Sequence, residues 1–94
     1  MSKHGTMATD RPERYAKQLV GHWAAKATVT EDGEVRTLVM GAGQSVVLRP
    51  VEGALEIDAS VPADGDIDLD RWAQVVAEHL QRFGQRDELE VVWS

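Results

Sequence analysis

Between Leu55 and Val61 the chain alternates without a break, with Leu55, Ile57, Ala59 and Val61 set against Glu56, Asp58 and Ser60. Successive side chains of a strand point to opposite faces, so this segment reads as a strand with one dry side and one wet side. A sheet built from such strands has to be covered on its dry side. Two stretches have the spacing to do it. Leu69, Trp72, Val76, Leu80 and Phe83 recur at three- and four-residue steps and predict a helix stopped by Gly84 in the C′ position. Tyr15, Leu19, His22, Trp23 and Lys26 recur in the same way and predict a first helix. Its start is marked by Asp10 as cap, Pro12 in the first turn and Glu13 closing a capping box. A helix of about 16 residues spans about 24 Å, close to a seven-residue strand, so one helix can cover one strand pair.

The remaining strands are read from turns and alternation. Thr6 to Thr9 make at most a short strand, and residues 1–5 are expected to be flexible. Thr28 to Thr30 and Val35 to Met40 flank Asp32-Gly33, a hairpin signal; a type I′ turn there would set Glu31 opposite Glu34 and Val29 opposite Arg36. Gly41 to Gln44 is a second turn, Ser45 to Arg49 a further strand ended by Pro50 to Gly53, and Leu89 to Trp93 a last alternating strand. The expected fold is α+β, a single domain over 1–94. It is a two-layer sandwich of order β-α-β-β-β-α-β with a mostly antiparallel sheet and both helices on one face. Arg14 to Trp23 can also be laid over Arg71 to Leu80, matching Arg, aromatic, Ala, aliphatic, His and bulky apolar positions, as an internal duplication would produce.

Composition removes whole classes of function. Acidic residues outnumber basic ones 16 to 10, and a net charge of −6 is the wrong sign for binding a phosphate backbone. The absence of cysteine excludes disulfides, Cys-based zinc sites, iron–sulfur clusters and thiol nucleophiles. No apolar run approaches 18 residues and the first ten residues lack a signal-peptide core, so a soluble, cytoplasmic protein without membrane contact is expected.

Asp64, Asp66, Asp68 and Asp70 imitate the start of a calcium loop, but Leu69 stands where the loop needs glycine and Val75 where it needs glutamate. Helix capping and solvation account for them. Ser45, Ser60 and Ser94 lie outside any nucleophile elbow, and Gly41-Ala42-Gly43 lacks the lysine of a phosphate loop. Proton or ligand chemistry near neutral pH therefore falls to His22 and His79, each at the edge of an apolar helical stripe. A dyad between the helices would bring the two imidazoles together, able to bind a metal, a haem or an anion. Arg14, Lys17 and Lys26 form a local basic cluster suited to a small anionic ligand or an acidic partner. Tyr15, Trp23, Trp72, Phe83 and Trp93 are core residues first. Thr28, Thr30, Val46 and Val92 make a mild sheet face on which a homodimer could pair.

Thr9 to Leu19 with His22-Trp23 and Lys26, then Val75 to Phe83, Arg86-Asp87-Glu88-Leu89 and Trp93, resemble the small bacterial proteins of domain of unknown function 2218. The blocks Arg-Tyr-x-Lys-Gln-Leu-x-x-His and His-Leu-x-Arg-Phe carry that resemblance in order and separation. It covers nearly the whole chain. The resemblance makes Arg14, Tyr15, Lys17, Gln18, His22, Lys26, His79, Arg82 and Phe83 the pattern-bearing positions and transfers no catalytic role. It implies an accessory module, with a link to iron or siderophore handling. Val20 stands where the family often has cysteine. The expected function is thus a non-enzymatic binding or accessory protein with no cofactor, acting on a protein partner or small anionic ligand. Arg14, Tyr15, His22, Lys26 and His79 are its candidate binding residues. The alternative is a small metal- or haem-binding protein or enzyme using His22 and His79.

Overall fold

The computed structural model describes residues 1–84 and 88–94. Its elements are β1 (Ser2–Ala8), α1 (Pro12–Trp23), β2 (Ala27–Asp32), β3 (Val35–Met40), β4 (Ser45–Val51), β5 (Ala54–Ser60), α2 (Leu69–Phe83) and β6 (Val91–Trp93). The order is the expected one of strand, helix, strands, helix and strand, with four strands in the middle run where three were counted. All six strands form one sheet in the order β2-β3-β4-β5-β1-β6, and every pairing is antiparallel.

The register explains why both helices lie on one face. Leu38 pairs with Val46, Val46 with Ala59, Leu48 with Ile57, Ile57 with Gly5 and Met7 with both Leu55 and Val91. Partners in register share a face, so the buried positions of five strands merge into one apolar floor. Tyr15, Ala16, Leu19 and Trp23 from α1 and Trp72, Ala73, Val76, Ala77 and Leu80 from α2 close over it. Val46 is fully buried in this core, so it drops out of the open face proposed for pairing; Thr28, Thr30 and Val92 are exposed.

β1 runs longer than the Thr6 to Thr9 segment expected. It pairs with β5 from Ser2 to Ala8, so residues 2–5 are strand residues. Gly5 stands directly opposite Trp93. A Cβ at Gly5 would come within 2.7 Å of Trp93 Cε3 and 3.0 Å of Val91 Cγ1, so the missing side chain is what lets the indole lie across β1. The variant Gly5→Ala should lose about 1–2 kcal/mol by lifting Trp93 off the strand. Urea denaturation would measure the loss, and a red-shifted tryptophan emission would report the displaced ring.

The first hairpin turns one residue later than expected. Glu31 pairs with Arg36, Val29 with Leu38 and Asp32 with Val35, leaving Gly33-Glu34 as the two-residue loop. Gly33 has φ of 61° and Glu34 is not in the positive-φ region, which is the requirement of a type II′ turn rather than type I′. The strain of positive φ then falls on glycine alone, and Asp32 is freed to extend β2.

The helix ends also differ from the sequence reading. At α1 the N-cap is Arg11, not Asp10, and it makes no side-chain cap bond; its own N–H donates to Thr9 Oγ1 at 3.0 Å. Glu13 pairs with Lys17 at 3.3 Å instead of closing a capping box. α1 ends at Trp23, which leaves Lys26 beyond the helix and exposed. At α2, Asp68 accepts from the Asp70 N–H at 3.0 Å as the N-cap, and Asp70 pairs with Lys3 at 3.0 Å. The aspartate run is thus a cap and a solvated surface. The helices match at the positions of the proposed duplication, but the sheet does not repeat it. β1 and β2, joined through α1, have three strands between them, whereas β5 and β6, joined through α2, have only β1.

Candidate functional site

Helices α1 and α2 meet along a seam whose surface end is aromatic. Trp23 of α1 and Trp72 of α2 stack with ring centroids 5.4 Å apart and planes inclined by 24°. Both indoles are buried, and Trp72 Nε1–H donates to the Ser45 carbonyl at 2.8 Å, which fixes the ring that Trp23 rests on. Above this pair lie the two histidines. The rings of His22 and His79 are 5.2 Å apart between centroids, His79 lies 4.9 Å from Trp23, and His22 lies 5.8 Å from Phe83 in an edge-on contact. His22 is exposed and His79 half-buried.

The tautomer of His79 follows from its partner. Its Nδ1 is 2.7 Å from the carbonyl of Val75, one turn earlier on α2. A carbonyl oxygen only accepts, so Nδ1 carries the proton, and in the neutral ring Nε2 holds the lone pair. The pair can therefore donate imidazole nitrogen to a ligand. Among the described residues no three His, Asp or Glu side chains converge as a metal-ligand set.

Of the sequence-derived site residues the structure brings His22 and His79 together, buries Tyr15 in the core and sets Arg14 apart along α1. Tyr15 is buried in the core beneath α1, where its hydroxyl oxygen lies 2.8 Å from the position a Cβ would take at Gly84. Arg14 lies eight residues before His22, about 12 Å along the helix axis, and lines an open cleft with Glu13, Lys17 and Gln18. Lys26 is exposed in the turn after α1.

Two polar groupings escape the sequence reading. Arg36 is a buried charged residue on the core side of β3. Its guanidinium donates to the Glu34 carbonyl at 3.1 Å and approaches Glu13 at 3.7 Å and Glu31 at 3.9 Å. It ties the start of α1 to the hairpin. Its place was legible in one respect, since it shares strand parity with Leu38. On the open face, His4 Nδ1 donates to Asp58 at 2.7 Å, with Glu56 at 3.7 Å from Nε2 and Arg49 at 3.3 Å from the other Asp58 oxygen. That cluster depends on β1 lying beside β5, which no local pattern announces.

The NMR structure of PA4090 from Pseudomonas aeruginosa is similar along the whole chain. The TM-score is 0.72 at 26% sequence identity, and the match covers 100% of this chain and 96% of that one. No curated protein matches the chain. Among the described residues no helix is long and apolar enough to cross a membrane. Of the sequence motifs that suggested a bacterial family, Arg86-Asp87 lies outside the described residues. The blocks around His22 and His79 lie inside them, on the two facing helices. A family model matches residues 4–94, and the chain belongs to the family of uncharacterized proteins conserved in bacteria, DUF2218.

Proposed function

We propose that this protein is a non-enzymatic, cytoplasmic binding module whose contact region is the α1–α2 seam at His22 and His79. The observation that carries the reading is the pair of imidazoles 5.2 Å apart on a bed of stacked indoles. Polar donors over a rigid aromatic floor are the usual make-up of a ligand seat. Ser45 and Ser60 pair with each other in the sheet register, and Glu78 is engaged with Gln74 at 3.0 Å. An accessory role in iron or siderophore handling would use the same seam.

Haem is disfavoured by the spacing. Two axial imidazoles at about 2 Å from iron stand with centroids about 6.4 Å apart on opposite sides of a flat macrocycle. The observed separation of 5.2 Å is shorter than that.

The test is a ¹⁵N-HSQC titration of the full chain with inorganic phosphate, FMN and a ferric siderophore, alongside native mass spectrometry of the protein as purified. At least one of these should shift the signals of His22, Trp23, His79 and Phe83 together, without chemical change to the added compound. Shifts confined to the open sheet face or to the cleft beside Arg14 would overturn the reading, as would turnover of the compound at the seam.

A further inference from the structure

We propose that His22 and His79 form a two-histidine site for a divalent transition-metal ion of the Zn²⁺ type, with its other coordination positions open to an exogenous ligand. The inference rests on the seam being a binding site and names what it binds.

Ring spacing is the first support. An imidazole nitrogen binds zinc at about 2.0–2.1 Å and the ring centre lies about 1.1 Å further on, so the ion stands about 3.2 Å from each centroid. Two such rings at the tetrahedral angle have centroids about 5.2 Å apart. His22 and His79 are 5.2 Å apart, and their planes are inclined by 54°, so they are not stacked on each other.

The surroundings of His79 are the second support. Metal-bound histidines commonly donate the other ring N–H to a carbonyl or carboxylate, which fixes the tautomer and the ring orientation. The Val75 carbonyl at 2.7 Å from Nδ1 is in that role, and it leaves Nε2 as the ligating atom. Trp23 against His79 and Phe83 against His22 supply an apolar wall around both rings. With no cysteine in the chain, the site favours ions suited to imidazole over those that demand thiolate. Because no third side chain of the described residues completes it, the ion keeps positions free. That is the arrangement of a site that holds a further ligand rather than one that only staples a fold.

The second histidine cluster provides an internal control. His4 lies between Asp58 and Glu56, but its Nδ1 is engaged by Asp58 at 2.7 Å and Asp58 is also held by Arg49 at 3.3 Å, so this ring nitrogen and this carboxylate are already partnered. Zinc should not select it.

The experiment is calorimetric titration of Zn²⁺ into the metal-free full chain at neutral pH, with long-range ¹H–¹⁵N spectra of the imidazoles. One ion per chain is expected, with the ring nitrogens of His22 and His79 shifting and those of His4 unmoved. His22→Gln removes an exposed side chain and leaves the fold intact, and it should weaken binding by about tenfold or more. His79→Gln should do the same, whereas His4→Gln should leave the affinity unchanged. Binding that survives His22→Gln, binding that maps to His4, or no binding at about millimolar zinc overturns the proposal. If zinc fails while phosphate, FMN or a ferric siderophore shifts the same seam signals, the metal site falls and the binding-module reading stands. If nothing shifts the seam, both fall.

Discussion

Replacing Trp72 with alanine should cost about 3–5 kcal/mol, a large part of the total stability of a domain this size. Three losses coincide at this residue. The ring is buried at 5% exposure, it stacks on Trp23 across the helix seam, and its Nε1–H satisfies the Ser45 carbonyl. Truncation opens a cavity between α2 and β4 and removes the ring against which Trp23, the neighbour of His79, is stacked. The milder variant Trp72→Phe keeps an aromatic ring but drops the hydrogen bond, and should cost about 1–2 kcal/mol. Chemical denaturation followed by circular dichroism measures both. A Trp72→Ala protein within about 1 kcal/mol of the parent would mean that the seam is not packed as described.

The second large effect is expected at Gly84. Glycine after a helix suggests a left-handed C′ residue, for which alanine would be strained by its backbone. Gly84 is instead the C-cap with φ of −112°, a conformation any residue can adopt. The constraint is space: a Cβ there would lie 2.8 Å from Tyr15 Oη and 2.9 Å from Leu89 Cγ. Gly84→Ala should therefore destabilise by about 2–3 kcal/mol through overpacking, outweighing the smaller gain from a stiffer unfolded chain. The two causes separate in a double-mutant cycle. Leu89→Ala should relieve much of the Gly84→Ala cost if the origin is steric, and none of it if the origin is φ.

What could be read from the chain divides along the range of the interactions involved. The helices and the Leu55 to Val61 strand were legible because their periodicity is a local consequence of burying one face. The hairpin was legible as a hairpin, yet its turn slipped by one residue because Asp32-Gly33 and Gly33-Glu34 both satisfy the same local signal. β1 was not legible beyond Thr6, since Ser2, Lys3, His4 and Gly5 carry neither alternation nor β-branched side chains. Its strand character comes from neighbours on both sides. The juxtaposition of His22 and His79 was visible through matched spacing on two helices. Arg14 and Tyr15 do not join them, because helix phase turns Tyr15 into the core and about 12 Å of helix separates Arg14 from His22. Arg36 was hidden by its charge, which composition assigns to solvent and the register assigns to the inner face.

The sheet order has a consequence for how the chain assembles. β2 to β5 form a meander of successive neighbours, which can close from short-range contacts as the chain emerges. β1 is made first but must wait: Gly5 meets Ile57 on one side and Trp93 on the other, so its second neighbour arrives only with β6. A strand left unpaired for that long is an aggregation hazard if it is apolar. Ser2, Lys3, His4 and Thr6 make this one hydrophilic along most of its length. The same polarity that conceals β1 in the sequence keeps it in solution until its place between β5 and β6 is ready.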